Sequence, residues 1–338
     1  MLTRRLRYPL LLIALALPQT TSAGDVYATA FENFTAGTDK IIGTDGWTGT
    51  QQGLGIHGIL TEFQHQVLGL GKSAFMGGNP AAFSGASNVV SVRRPVNINP
   101  VSLGREVVTF SVNLGVKDST ADAAFRRDDF SFLIVNSDAS PRILGGVQFD
   151  NSTLDAGEPR RIIWRTLWNA GVMQYTNTGT SFFHDTIEPL AIRVNFRTNL
   201  WTAYFGGVPL FQDVPFYGGT APLTLGTVHV RLETRNRQPF TNYQWPGDNY
   251  MLFDDYIIRA EPVATRLTAG TATDGAARLS WTEEAGYSYR LQWSADCAGW
   301  QDFSDTIHTA ILTGTSEFTD PASPRPAKRF YRVMRTFP

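Results

Sequence analysis

The chain has 338 residues, of which 42% are hydrophobic and 12% aromatic, so it is long enough for two domains with substantial cores. Its formal net charge is −1, which gives no electrostatic reason to expect a nucleic acid or an anionic membrane as partner. The single cysteine, Cys297, excludes an intramolecular disulfide. We expect it to fill a buried or half-buried position, with a thiol that pairs two chains as the alternative.

Residues 1–23 have the pattern of a secretory signal peptide. Three arginines precede an apolar run at residues 10–17, and small residues end at Ala23. The run is shorter than the ~20 apolar residues of a membrane-spanning helix. We therefore predict cleavage before Gly24 or Asp25 and a secreted or cell-surface protein, with no membrane span in the mature chain.

The remaining chain is typical of short strands separated by Gly, Pro, Asn and Asp clusters. In residues 107–114 the apolar and polar side chains alternate, which indicates an antiparallel sheet with one wet face. The only helical pattern covers residues 121–127, and the lack of β-α-β alternation argues against a parallel α/β fold. The predicted strands of this part are residues 89–92, 106–116, 129–135, 143–149, 161–166, 190–196, 200–205, 227–234 and 250–259.

A domain boundary is predicted at Glu261 and Pro262, where a closing strand ends and a smaller series begins. The joint is too short for a flexible linker. The predicted strands beyond it are residues 263–268, 277–281, 287–293, 317–319 and 329–334.

Residues 31–37 and 43–47, together with the late strand 253–259, resemble the concanavalin A-like jelly-roll domains of secreted bacterial proteins, the LamG, lectin and glucanase superfamily. Residues 201–210 fit the "strand, glycine turn, strand" hairpin of that fold. The resemblance covers residues 24–260 and implies a jelly-roll sandwich.

Residues 287–294, Trp300, residues 318–321 and residues 328–333 resemble the small Ig- or fibronectin-like modules that end many secreted bacterial proteins. This resemblance covers residues 262–338 and implies a non-catalytic spacer or attachment unit. We therefore predict an all-β chain: an antiparallel jelly-roll sandwich followed by a smaller Ig-like β-sandwich.

Enzyme signatures are mostly missing from the sequence. The five histidines show no zinc-binding spacing, and no Gly-x-Ser-x-Gly elbow is present. Residues 53–58 match Gly-x-Gly-x-x-Gly but precede no predicted helix, so we interpret them as a flexible loop and not a phosphate site. The Glu-x-Asp-x-x-Glu strand of jelly-roll glycosidases does not occur.

Arg231, Glu233 and Arg235 fall on one face of a predicted strand. This resembles the Arg-x-Glu-x-Arg strand of jelly-roll alginate lyases, but the companion strands of those lyases are missing. The pattern also suits an ion-paired, solvent-facing ladder. The three residues remain candidates for contact with a polar ligand.

Two aromatic clusters could stack on sugar rings. Residues 237–249 contain Phe240, Tyr243 and Trp245, which we predict as ligand-binding, with a loop that caps the sandwich end as the alternative. Trp164 and Trp168 form the second cluster, and we expect both in the core.

Glu32, Asp254 and Asp255 stand near the first and last strands of the predicted jelly roll, where such modules often hold a structural ion. Their oxygens suit calcium, and a seam of hydrogen bonds is the alternative. The leading hypothesis is an exported, non-catalytic protein that binds polysaccharide or glycoconjugate, with no assigned catalytic residue. The alternatives are a jelly-roll polysaccharide lyase or glycoside hydrolase, and a structural cell-surface or matrix protein.

Overall fold

The computed structural model describes residues 24–52, 55–67, 70–78, 88–116, 126–151, 162–169, 172–236, 250–273, 275–321 and 328–336. Antiparallel strands dominate these residues, which confirms the predicted all-β class. The predicted signal peptide lies outside them. None of the helices in this part of the chain is long and apolar enough to cross a membrane. Contacts divide the chain between Glu261 and Pro262 into two compact units.

The described residues of the larger unit form sixteen strands and one helical turn. The strands are β1 (Gly24–Thr29), β2 (Gly37–Thr38), β3 (Thr48–Gln52), β4 (Gly55–Leu60), β5 (Ser73–Gly78), β6 (Asn88–Arg93), β7 (Val107–Val116), β8 (Arg126–Val135), β9 (Ile143–Asp150), β10 (Ile162–Asn169), β11 (Val172–Ser181), β12 (Glu188–Asn195), β13 (Leu200–Phe205), β14 (Val208–Pro215), β15 (Thr227–Asn236) and β16 (Tyr250–Glu261), and the helical turn is α1 (Glu62–His65).

These strands form two sheets that pack face to face. The nine-stranded sheet has the order β14-β13-β12-β7-β16-β5-β4-β2, with β1 paired to β16, and the seven-stranded sheet has the order β11-β10-β9-β8-β15-β6-β3. The predicted hairpin at residues 201–210 is confirmed, because β13 and β14 pair across Gly206 and Gly207.

The core of this unit lies between the two sheets. Phe110 of the nine-stranded sheet and Phe132 of the seven-stranded sheet pack with ring centroids 5.5 Å apart. The hydroxyl of the fully buried Tyr256 donates a hydrogen bond to the Val228 carbonyl at 2.9 Å and so joins the layers. Side chains alternate along each strand, one pointing into the core and the next pointing outward. This alternation determines which residues reach the outer surface of each sheet.

The described residues of the smaller unit form two further sheets. Its strands are β17 (Leu267–Thr271), β18 (Ala277–Glu283), β19 (Ser288–Ser294), β20 (Gln301–Asp302), β21 (His308–Thr309), β22 (Gly314–Thr319) and β23 (Phe330–Thr336), with a 3-10 turn at Ser304–Thr306. One sheet has the order β17-β18-β22, and the other places β20, β21 and β23 along β19. Buried Trp281 and Tyr289 occupy its core.

Several predictions about local structure were wrong. The Gly-x-Gly-x-x-Gly segment is not a loop from Gly55 onward but strand β4. A Cβ on Gly58 would lie 2.2 Å from the Gly37 carbonyl oxygen, so glycine permits the close pairing of β2 with β4. The predicted helical stretch 121–127 lies largely outside the described residues, and Arg126 and Arg127 begin strand β8.

Cys297 is exposed and not buried as expected. It has a φ of 66° in a tight turn, where its backbone N–H donates to the Ser294 hydroxyl at 2.9 Å. The geometry of this turn sets the position of Cys297 and keeps its side chain out of the core. The predicted strand 263–268 is also displaced, since β17 begins at Leu267.

Candidate functional site

The candidate site lies on the outer face of the seven-stranded sheet, the face turned away from the core. Along β15 the side chains of Val228, Val230 and Leu232 are buried in the core. Strand alternation therefore directs His229, Arg231 and Glu233 to the outer face. The predicted shared face of Arg231 and Glu233 is confirmed by their ion pair, with a nitrogen-to-oxygen distance of 2.9 Å.

One cross-strand row runs over all seven strands at the level of Arg231, and we call it the central row. It contains only polar and aromatic side chains. The members, in spatial order, are Thr50, Ser91, Arg231, Ser131, Gln148, Trp164 and Asn177. At ~4.8 Å per strand the row is about 29 Å long, which matches an extended ligand better than a single sugar ring.

A groove of about 640 Å³ opens on this face over β3, β6, β15 and β8. Its lining includes Thr50, Ser91, Arg93, His229 and Arg231. The Ser91 hydroxyl is buried and has no hydrogen-bond partner among the described residues. A buried hydroxyl without a partner is costly, so this atom would gain a hydrogen bond if a ligand in the groove reached it.

Two arginines, Arg93 and Arg231, line the groove beside His229. Burial, together with the positive charges of Arg93 and Arg231, lowers the pKa of His229 to about 4. His229 lies directly opposite Arg93 in the register of β15 and β6. The imidazole is therefore neutral at neutral pH and can accept or donate a hydrogen bond.

A second row beside the central row is acidic. Glu233 lies opposite Asp129 of β8, and Asp129 lies opposite Asp150 of β9. Asp129 is buried, and each of the three residues takes part in a polar or electrostatic interaction. Because the three residues come from three strands, only the register brings them together.

Aromatic side chains lie at the β10 end of the face. Trp164 is half-buried in the central row and not in the core as predicted, because the adjacent Ile163 takes the core position. Tyr175, opposite Thr166 in the next row, is 51% exposed. Trp168 is half-buried against the core cluster, which agrees in part with the prediction.

The other predicted ligand contacts have mixed outcomes. Arg235 pairs through its backbone with Arg127, but its side chain lies outside what the structure describes. Phe240, Tyr243 and Trp245 also lie outside the described residues, and their role stays a prediction. The sequence analysis missed Arg93, Ser91, Gln148 and His229, since none of them belongs to a motif.

The predicted calcium residues Glu32, Asp254 and Asp255 lie at a seam held by hydrogen bonds. Glu32 accepts a hydrogen bond from the Lys72 backbone N–H at 2.9 Å, and Asp255 accepts one from the Asn113 amide at 2.8 Å. A Cβ on Gly71 would lie 1.8 Å from a Glu32 carboxylate oxygen, so glycine admits that carboxylate. Within the described ranges, no group of three or more His, Cys, Asp or Glu side chains is placed to hold a metal ion. The calcium prediction therefore gains no support from this geometry.

Asp254 is the unusual carboxylate of this seam. Burial raises its pKa to about 7, and the negative charges of Asp255 and Glu32 act in the same direction. The Asp255 backbone N–H, which donates to Asp254 at 2.8 Å, and the nearby Ser73 hydroxyl oppose the shift. Asp254 therefore changes its charge near neutral pH.

No protein-family model matches the sequence, and no curated protein matches it. Among solved structures, the chain is similar to a carbohydrate esterase from the Shiga toxin-encoding bacteriophage phi24B (13% identity, TM-score 0.42, 71% of this chain and 99% of that chain). It is also similar to an endo-β-1,4-glucuronan lyase from the fungus Trichoderma reesei (10%, 0.41, 70% and 96%). A third is the carbohydrate recognition domain of Emp46p in its potassium-bound form (11%, 0.41, 72% and 100%). Likenesses this distant transfer no residue role to the site.

Proposed function

We propose that this chain is an exported protein that binds a polysaccharide or glycoconjugate across the outer face of the seven-stranded sheet. The observation that carries the proposal is the central row, which places hydroxyl, amide, guanidinium and indole groups in one line over seven strands. Apolar side chains would be stable in this row only if another surface covered them. A sheet face that contacts only solvent does not require a half-buried tryptophan for its stability.

Sugar recognition needs an aromatic surface for the apolar ring face and fixed polar groups for the hydroxyls. Trp164 supplies the first, and Gln148, Ser131 and the unpartnered Ser91 hydroxyl supply the second. These groups stand on strands and not on loops, so little ordering is needed when a ligand binds. The row is therefore suited to an extended chain of sugar rings.

The binding face is tested by exchanging Trp164 for alanine. Removing a central aromatic contact costs more than ~1 kcal/mol of binding free energy. We therefore expect Trp164→Ala to weaken binding of the polysaccharide identified on a glycan array by about fivefold or more. Tyr204→Ala is the matched control, because Tyr204 lies on the other sheet, next to core residues Ala203 and Phe205. Equal loss in both variants, or binding to no glycan, would contradict the proposal and favour a structural role.

A polysaccharide lyase is the second candidate, and His229 is the observation that favours it. A lyase needs a neutral base to take a proton beside a sugar carboxylate and a cation to offset the charge that develops. His229 would be the base, and Arg93 and Arg231, which line the same groove, would supply the cation. An unsaturated-uronate assay over acidic polysaccharides tests this reading. Turnover by the wild type that disappears in His229→Gln or Glu233→Gln would show that the chain is a lyase and not a non-catalytic binding protein.

For the smaller unit we propose a role as spacer or attachment module, as its sequence resemblance implies. Secretion or display at the cell surface follows from the signal-peptide pattern of residues 1–23. N-terminal sequencing of the exported protein tests this part, and a mature chain that begins at Gly24 or Asp25 is the expected result.

A further inference from the structure

We propose that the groove selects acidic polysaccharides, in which a carboxylate or sulfate group of the sugar chain pairs with the Arg93 guanidinium. The inference rests on the proposed function and adds the chemical class of the ligand. It starts from the charges that line the groove and from which of them already have partners.

The two arginines of the groove differ in their partners. Arg231 has its charge offset by Glu233 at 2.9 Å. Arg93 makes no ion pair with a carboxylate in the described part of the chain, and the residue opposite it on β15 is the neutral His229. Asp138 also lines the groove, but its carboxylate accepts the Ala139 backbone N–H at 2.8 Å within its own loop. Arg93 is thus the uncompensated cation of the groove.

The surroundings of Arg93 make an anion a better occupant than a neutral sugar. Arg93 is half-buried beside β15, and a ligand in the groove would remove more of its water. A neutral sugar would leave that guanidinium with weaker hydrogen bonds than water gave it. A carboxylate or sulfate would supply a charge-assisted and potentially bidentate partner instead.

The neighbours of Arg93 add hydrogen-bond capacity for the same group. Thr48 lies opposite Arg93 on β3, and the unpartnered Ser91 hydroxyl lies two residues along β6 on the same face. The neutral His229 ring lies on the other side. An anion at Arg93 would therefore meet one full positive charge, neutral donors and no adjacent negative charge from this strand pair.

The experiment compares polysaccharides that differ only in charge. Polygalacturonate is paired with its methyl ester, and dextran sulfate with dextran, so that each pair keeps its backbone. We expect binding by isothermal titration or gel retardation to one or both charged members, at least tenfold tighter than to the neutral partner, and weaker as salt rises. The first pair reports on carboxylates and the second on sulfate.

Arg93→Gln is expected to reduce binding of the charged member at least tenfold, with Arg93→Lys retaining part of it. Arg259→Gln is the matched control, because it removes one positive charge from the nine-stranded sheet, where Arg259 pairs with Asp25 at 2.7 Å. Equal losses in Arg93→Gln and Arg259→Gln would overturn the inference, since they would show only general attraction of a polyanion. Circular dichroism of each variant checks that it has folded.

A separate readout comes from His229. An anion beside Arg93 offsets one of the charges that lower the pKa of the imidazole, so the pKa measured by NMR should rise when the charged polysaccharide binds. Binding of the neutral members alone would overturn the inference while the proposed function stands. Binding to neither pair nor to any glycan of a wider array would contradict the proposed function as well.

Discussion

Burial shifts the pKa values of two side chains, Asp254 and His229, in opposite directions and favours the uncharged form of both. Each group is neutral at a pH where the free side chain is more often charged, Asp254 because burial raises its pKa and His229 because burial lowers it. Asp254 belongs to the seam beside β1, whereas His229 belongs to the groove. The shift at Asp254 affects stability, and the shift at His229 leaves an uncharged ring in the groove.

Asp254 should make the stability of the larger unit depend on pH. In the folded chain its pKa is about 7, against an ordinary value of 3.8, so folding takes up a proton between these values and stability falls as the pH rises from about 4 to about 7. We expect Asp254→Asn to flatten this fall in the melting temperature. Asp138→Asn, at an exposed carboxylate, should leave the wild-type profile in place. A profile that is unchanged in Asp254→Asn would show that the carboxyl is not held neutral.

The individual residues differ in how far the sequence could predict them. Arg231 and Glu233 share a face because side chains alternate along one strand, and this follows from the sequence. Ser91 and Gln148 fall in one row with Arg231 only through the pairing of separate strands. A shift of one residue in any pairing would send them to the other face. The central row could therefore not be predicted without the register.

Among the strands, the sequence was most informative where apolar and polar residues alternate, as in β7. It failed where glycine has a packing role, as in β4, or where an element is very short. The helical turn α1 has four residues, and a capping box between Thr61 and Gln64 stabilises its start. Such a turn has too little periodicity to be recognised.

Gly146 provides a test of the β8–β9 pairing beneath the face. A Cβ at this position would lie 2.4 Å from the Phe132 carbonyl oxygen and 2.7 Å from a Leu133 methyl carbon. Gly146→Ala must therefore separate the two strands, and we expect a loss of about 1–3 kcal/mol in unfolding free energy. Gly314→Ala is the control, since a Cβ there meets nothing within 4 Å. Similar denaturation midpoints for Gly146→Ala and the wild type would mean that β8 and β9 have room for the added methyl group.

For the whole molecule, the division into two units places the candidate site entirely in the larger one. The smaller unit lacks a disulfide and depends on aromatic packing instead. Arginines of β23 and the segment before it stack on rings: Arg329 on Trp293 at 3.8 Å and Arg332 on Trp300 at 4.2 Å. Such contacts add to the area buried by Trp281.

Trp281→Ala tests whether the units have separate roles. Trp281 is 2% exposed, and truncating a buried tryptophan costs about 3–5 kcal/mol, which is comparable to the whole stability of a unit of this size. We expect the smaller unit to unfold in calorimetry while polysaccharide binding by the larger unit keeps its affinity. Loss of binding in the folded larger unit would place part of the site in the smaller one.

The most direct test of the proposed binding face is a crystal structure of the chain with an oligosaccharide of the polysaccharide that it binds. We expect sugar rings along the central row, with one ring against Trp164 and polar contacts to Ser91 and Gln148. A ligand bound to the nine-stranded sheet, to the smaller unit, or only to residues 237–249 would contradict the assignment of this face.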